Sequence, residues 1–227
     1  PPRATQGVSS AASDVYKRQI QVLFHHSPKP MTSNPSSKLD RTRCFGTGSP
    51  LYEAYHDHEW GVPVHDDRQL FELLILEGAQ AGLSWETILK RRESYRLAFD
   101  NFVIERVASY GKRKITTLLE NKGLIRNKLK IQSAVTNARV VLKIQKEFGS
   151  LERHLWGFVD GSQLQTDRFS AGDVPPISAE STRMSKDLKQ RGMYFVGPTI
   201  MYAFMQSTGM VNDHYVSCFR FNAVKKL

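Results

Sequence analysis

From about residue 44 onward, the apolar positions of the chain recur at helical rather than strand spacing. Ser49-Pro50 opens a short helical stretch from Leu51 to Trp60, which Gly61 and Pro63 end. Asp66 or Asp67 is placed to cap a second helix, Arg68 to Glu77, built on the dense apolar run Leu70-Phe71-Glu72-Leu73-Leu74-Ile75. Ser84 is placed to cap a third, in which Trp85, Ile88, Leu89, Tyr95 and Phe99 fall near one face. A shorter helix covers Ile104 to Tyr110. Lys112 to Asn121 reads as a helix with Ile115, Leu118 and Leu119 inward. Lys122 to Ile125 reads as a tight hairpin, with Gly123 suited to a left-handed position. Asn127 then caps a long helix to Phe148, whose buried stripe is Ala134, Val135, Ala138, Val141 and Leu142. Further helices are expected over Leu151 to Val159, Ser178 to Arg191 and Pro198 to Ser207, with a loop from Asp160 to Ser178. No segment alternates with strand period and no internal repeat is visible. The expected fold class is all-α, a single domain over residues 44–227.

Composition refines this picture in three places. The chain has 227 residues, 40% hydrophobic and 24% charged, which suits a globular body with a core of useful size. No apolar run approaches the ~20 residues of a membrane span. The formal net charge is +10, but residues 1–43 carry seven Lys/Arg against two Asp/Glu, so half of the excess lies in this Ser- and Pro-rich stretch. That stretch reads as a disordered or non-native tail. Within it, Val8 to Gln19 looks like translated adapter sequence, which would make Met31 the native start; a basic targeting tail is the alternative. The two cysteines, Cys44 and Cys218, with no credible secretory signal, favour a metal or free thiols over a disulfide.

Three groups of residues are candidates for chemistry. Glu77 ends an apolar run, where an ionised carboxylate is costly unless paired. Gly78 and Gly82 follow it, then Trp85, an arrangement that suggests a pocket for a polar aromatic ligand. Tyr52, Tyr55, Trp60 and Trp85 are ordinary core residues when taken singly, although two buried hydroxyls at i and i+3 need partners. His214 and Cys218 have i, i+4 spacing, which places both on one side if that segment is helical. Cys44 and His56 are available to complete four zinc-type ligands. The alternative is a buried cysteine beside a surface histidine. Around the hairpin, Gly123, Arg126, Lys128 and Lys130 offer backbone N–H groups and cations to a phosphate chain. An ordinary helical hairpin with a solvated basic face is as good a reading of spacing alone.

Taken together, these motifs resemble a known family. Pro50-Leu51-Tyr52-x-x-Tyr55-His56-Asp57-x-Glu59-Trp60-Gly61, Leu76-Glu77-Gly78-x-Gln80-Ala81-Gly82-Leu83-Ser84-Trp85 and Asn212-Asp213-His214-x-x-x-Cys218, with Cys44 ahead of them, are similar to the constitutive bacterial-type 3-methyladenine DNA glycosylases. The likeness also runs through Gly123-Leu124-Ile125-Arg126, Asn137-Ala138-Arg139 and Phe195 to Thr199, about residues 43–220 in all. It implies an all-α helix-hairpin-helix DNA glycosylase with a structural Zn2+ held by Cys44, His56, His214 and Cys218, joining the two ends. It implies that Glu77 and Tyr55 bind and act on a flipped N3-methyladenine, with Tyr52, Trp85 and, less directly, Trp60 around it. The expected enzyme is a monofunctional N-glycosylase on double-stranded alkylated DNA, monomeric, free of membrane and of any small-molecule cofactor. Its expected place is the bacterial cytoplasm and nucleoid, or the nucleus or an organelle of a eukaryote. Leu83 and Gln80 are candidates for the residue that wedges into the duplex. Wider relatives use an Asp beyond the hairpin; none stands between Asp100 and Asp160 here. Two departures are visible: Phe45 where the family often has Trp, and the less polar Ala79. The competing readings are a lesion binder without turnover and a zinc-stapled structural or RNA-binding module.

Overall fold

The computed structural model describes residues 42–227. The tail reading, including residues 8–19, therefore falls almost wholly outside the described residues. Eleven α-helices are described: α1 Pro50–His58, α2 Asp67–Gln80, α3 Trp85–Leu89, α4 Arg92–Ala98, α5 Ile104–Ala108, α6 Lys112–Glu120, α7 Lys128–Phe148, α8 Leu151–Trp156, α9 Ala179–Gln190, α10 Pro198–Ser207 and α11 Phe221–Val224. The fold is mostly helical, as the periodicity predicts.

α2 is the centre. Ten consecutive residues, Leu70 to Ala79, are buried all round the helix, the mark of a helix enclosed on every side. It packs against α3, α7, α8 and α10. Asp66 caps it, accepting from the Gln69 N–H at 2.9 Å. Asp67 instead serves α8, accepting from the N–H groups of Leu151 and Glu152, each at 2.8 Å. Ser84, Asn127, Ser150 and Ser178 cap their helices through side-chain oxygens.

The structure departs from the sequence expectation in four places. The helix expected to run from Ser84 to Phe99 is broken into α3 and α4 at Lys90-Arg91. Leu164–Gln165 and Val211–Asn212 form a short parallel strand pair, with Leu164 opposite Val211, where only loop was expected. Two residues per strand are too few to show alternation. Gly123 is not left-handed. It is required by close approach, since a Cβ there would lie 2.8 Å from the Ser94 side chain. Finally, His214 to Cys218 is a turn, not a helix. The Cys218 N–H donates to the Tyr215 carbonyl at 2.8 Å, and the Val216 N–H is drawn to the Arg168 carbonyl at 2.8 Å.

Candidate active site and metal-binding group

α1 and the C-terminal half of α2 bring the acidic and aromatic candidates together. Tyr52 and Tyr55 both point inward from α1 and are buried, with rings 6.3 Å apart and inclined by 28°. Trp85 opens α3, and its ring lies 5.5 Å from that of Tyr55 at a tilt of 51°.

Two buried glutamates on α2 have different surroundings. Glu72 accepts from Arg92 Nε at 2.6 Å and Arg96 Nε at 3.0 Å. Glu77 is 3% exposed, and among the described residues no Lys, Arg or His pairs with it. Burial pushes its carboxyl up to about 8, opposed by a hydrogen bond from the Ser207 side chain. Burial, and then the nearby Glu77, raise the hydroxyls of both Tyr52 and Tyr55. The Trp85 indole N–H is also buried without a hydrogen-bond partner. Both phenols thus lie near a buried acid that, among the described residues, lacks a cation, and the Trp85 ring lies against one of them. Such a group suits a flat, positively charged ligand.

Trp60 sits elsewhere. Its ring lies against Phe45 at 4.9 Å and His214 at 4.6 Å. Phe45 also contacts Tyr52, with the two rings 5.0 Å apart. Gly78 faces Phe195, to which a Cβ would come within 3.1 Å, so its smallness lets α2 pack closely on the segment between α9 and α10. Gly82, with φ +80° and open space around it, is the glycine free to let another molecule approach.

Cys44, His56, His214 and Cys218 converge as the motif spacing allows. All four are buried, with ligand atoms within 4.8 Å of one another, a group able to hold a metal ion. The Cys218 sulfur lies 3.4 Å from His56 Nε2 and 3.5 Å from His214 Nδ1. The remaining ring nitrogens are already engaged. His56 Nδ1 meets Asp57 Oδ1 at 2.9 Å, and His214 Nε2 meets the Trp60 carbonyl at 3.0 Å. Each bond fixes a tautomer with the ligating nitrogen unprotonated, as metal-bound histidines require. Backbone N–H groups of Tyr215 and Arg220 point at the two sulfurs. Burial pushes the Cys44 thiol up, while hydrogen bonding from Cys44, then from the two histidines, pulls Cys218 down. Two sulfurs this close ionise together only with a cation between them.

Asp57 and Asp213 lie within the motifs, where the sequence alone assigns them no role. Asp57 orients His56 and is itself gripped by Arg43 through two 2.7 Å bonds. That pairing holds its carboxyl down at about 2. Asp213 is buried and accepts from Tyr202, Gln206, Thr166 and Arg168 at 2.6–3.0 Å, which fixes the approach to His214. Their signal was position: each adjoins a histidine ligand in sequence.

The basic residues at the α6–α7 junction differ from one another. Arg126 and Lys128 are exposed. Lys130 is half-buried and donates to the carbonyls of Ala79 and Ala81 at 2.8 and 2.6 Å. The Gly123 N–H is satisfied by Asn121 Oδ1 at 2.8 Å, and the Ile125 N–H by the Tyr95 hydroxyl at 3.2 Å. A groove of about 660 Å³ runs along α7, lined by Leu129, Gln132, Thr136, Tyr194 and Phe195 among others. It does not include Glu77, Tyr52, Tyr55 or Trp85.

The sequence profile of the family described as Methyladenine glycosylase matches residues 45–221. The chain belongs to this family. It is 44% identical over 177 residues to DNA-3-methyladenine glycosylase 1 of Escherichia coli strain K12, covering 78% of this chain and 95% of that protein. A crystal structure of 3-methyladenine DNA glycosylase I superimposes with a TM-score of 0.77 at 46% identity, over 78% of this chain and 98% of that one. A second, from Staphylococcus aureus, gives 0.76 at 38% identity, over 78% and 94%, and is described as the structural basis of 3-methyladenine recognition. The family membership inferred from the motifs therefore holds. No helix among the described residues is long and apolar enough to cross a membrane.

Proposed function

We propose that the chain is a 3-methyladenine DNA glycosylase, which flips N3-methyladenine out of duplex DNA and hydrolyses its bond to the sugar. The observation that carries this reading is Glu77, a buried carboxylate with no cationic partner among the described residues, set near Tyr52, Tyr55 and Trp85 in a member of this family. Methylation at N3 makes the base cationic and a good leaving group, so the site need only select and hold it. Glu77 supplies the opposing charge, and Tyr55 a hydroxyl and an aromatic face. Tyr52 and Trp85 line the pocket. The free Trp85 N–H is a donor available to the bound base. Water then replaces the base at the sugar carbon, leaving an intact strand, with no lyase step.

In this reading the catalytic unit spans residues 44–227 and works as a monomer without a small-molecule cofactor. α6, the junction and α7 act as a helix-hairpin-helix, with Arg126 and Lys128 at the phosphates and Gly123 keeping the junction tight. The metal is zinc. Two thiolates and two imidazoles in a closed, buried group are the donor set of a structural zinc site, and such an ion would tie the N-terminal end of the domain to its C-terminal turn. Trp60 then supports the metal group through its carbonyl and ring rather than touching the base.

The test is incubation with methylated duplex DNA. The expected result is release of 3-methyladenine with the strand unbroken, lost in a folded Glu77→Ala variant. Binding without release would favour the non-catalytic lesion binder, and neither would leave the structural module.

A further inference from the structure

We propose that Lys130 is a positioning residue that couples the hairpin's grip on DNA to the turn framing the base pocket. The inference rests on the glycosylase reading above and assigns Lys130 a task distinct from phosphate contact.

Three observations carry it. First, Lys130 Nζ bridges the carbonyls of Ala79 and Ala81 at 2.8 and 2.6 Å. These lie at the C-terminal end of α2, where carbonyls lack helical partners and the helix dipole is negative. α2 has no basic residue in its own last turn, so the cation comes from α7, about fifty positions along the chain. Second, Lys130 is fixed at its base. Its N–H donates to the Asn127 cap at 3.1 Å, and its carbonyl accepts from Ser133 at 2.8 Å. The ammonium is thus held in register with the first turn of α7, beside the exposed Arg126 and Lys128. Third, the two carbonyls lie between the pocket acid and the pocket tryptophan. Ala79 follows Glu77 by two residues, and Ala81 begins the short turn through Gly82 and Leu83 to Trp85.

A displacement of the hairpin by the phosphate backbone therefore reaches the segment 79–83, between Glu77 and Trp85 in the chain, through one side chain. Two of the three ammonium protons are already committed to carbonyls, which leaves Lys130 poorly placed as a phosphate ligand.

The test uses the full chain with K130M, which keeps most of the apolar stem, and K130R, which keeps the charge. Four quantities are compared: Tm, the Kd for free 3-methyladenine, the salt slope of DNA binding, and the single-turnover excision rate at saturating enzyme. In K130M we expect a base Kd within twofold of wild type, an unchanged salt slope, and excision slowed at least tenfold. K130R should recover most of the rate. An unchanged rate would overturn the proposal, as would a rate loss matched by loss of base affinity, or a loss confined to DNA affinity with a shallower salt slope. Should K130M fail to fold, amide hydrogen exchange on wild type with undamaged duplex decides. Protection at residues 81–84 rising together with that at 122–130 supports the coupling, and protection of the hairpin alone refutes it. If wild type releases no 3-methyladenine, the glycosylase reading fails first, and the exchange result still stands separately.

Discussion

Replacing Glu77 by Gln should stabilise the protein while crippling the site. The folded carboxyl titrates near 8, against 4.5 for a free glutamate, because it is buried without a cation. Between those two values the folded protein holds a proton that the unfolded chain has released. Stability therefore falls as pH rises through that window. At about 1.4 kcal/mol per pH unit, the cost at pH 7 is about 3 kcal/mol. Gln keeps the shape and a hydrogen-bonding amide but has no charge to bury, so the variant escapes that cost. Ligand binding should move the other way. A cationic base ~4 Å from the carboxylate gains about 4 kcal/mol at an effective dielectric constant of ~20. Ionising Glu77 at pH 7 returns about 1.4 kcal/mol of this, leaving about 2–3 kcal/mol, or roughly a hundredfold in excision of the cationic N3-methyladenine nucleotide from DNA; the released base is neutral, because the bond to the sugar breaks with its electron pair left on the ring. Urea denaturation of both proteins at pH 5, 7 and 8.5, with single-turnover excision from N3-methylated duplex at subsaturating enzyme at pH 7, reads both effects. The difference in stability should grow from near zero at pH 5 toward its largest value at pH 8.5. A variant no more stable than wild type at pH 8.5, or with the same pH slope, would refute the argument that Glu77 is an unpaired buried acid.

The purified protein should contain one equivalent of zinc per chain by atomic emission, and Cys218→Ser should lower both the metal content and Tm; folded, metal-free wild type would contradict this. Asp57→Asn should weaken metal affinity by about 10–100-fold, the usual effect of losing a carboxylate behind a histidine ligand, as read by competition with a chelating dye. Arg126→Gln and Lys128→Gln should each weaken binding to any duplex and reduce the slope of log K against log salt by about 1. Unchanged slopes would remove the hairpin from the phosphate contact.

Most helices were legible because their caps and apolar stripes are local. Ser84, Asn127 and Ser178 cap as expected, and α10 runs from Pro198 to Ser207. The losses came where tertiary contact overrode local pattern. Gly123 is small because of Ser94, not because of its own φ. The segment His214 to Cys218 follows the strand pair and the Arg168 carbonyl rather than its own helical spacing. The Cys44, His56, His214 and Cys218 group and Glu77 are legible as residues because few side chains can do such chemistry. What sequence could not supply was pairing. That Glu72 has two arginines and Glu77 none is a fact of three dimensions. So is the engagement of the Lys130 ammonium by two carbonyls at the end of α2.

The most direct test of the account is a single-turnover assay on a duplex methylated at adenine N3, with released base measured by chromatography. The account predicts free 3-methyladenine and an unbroken strand from wild type, and release slowed roughly a hundredfold in folded Glu77→Gln. No release by zinc-replete, folded wild type would contradict it, and undiminished release by the glutamine variant would contradict the role given to Glu77.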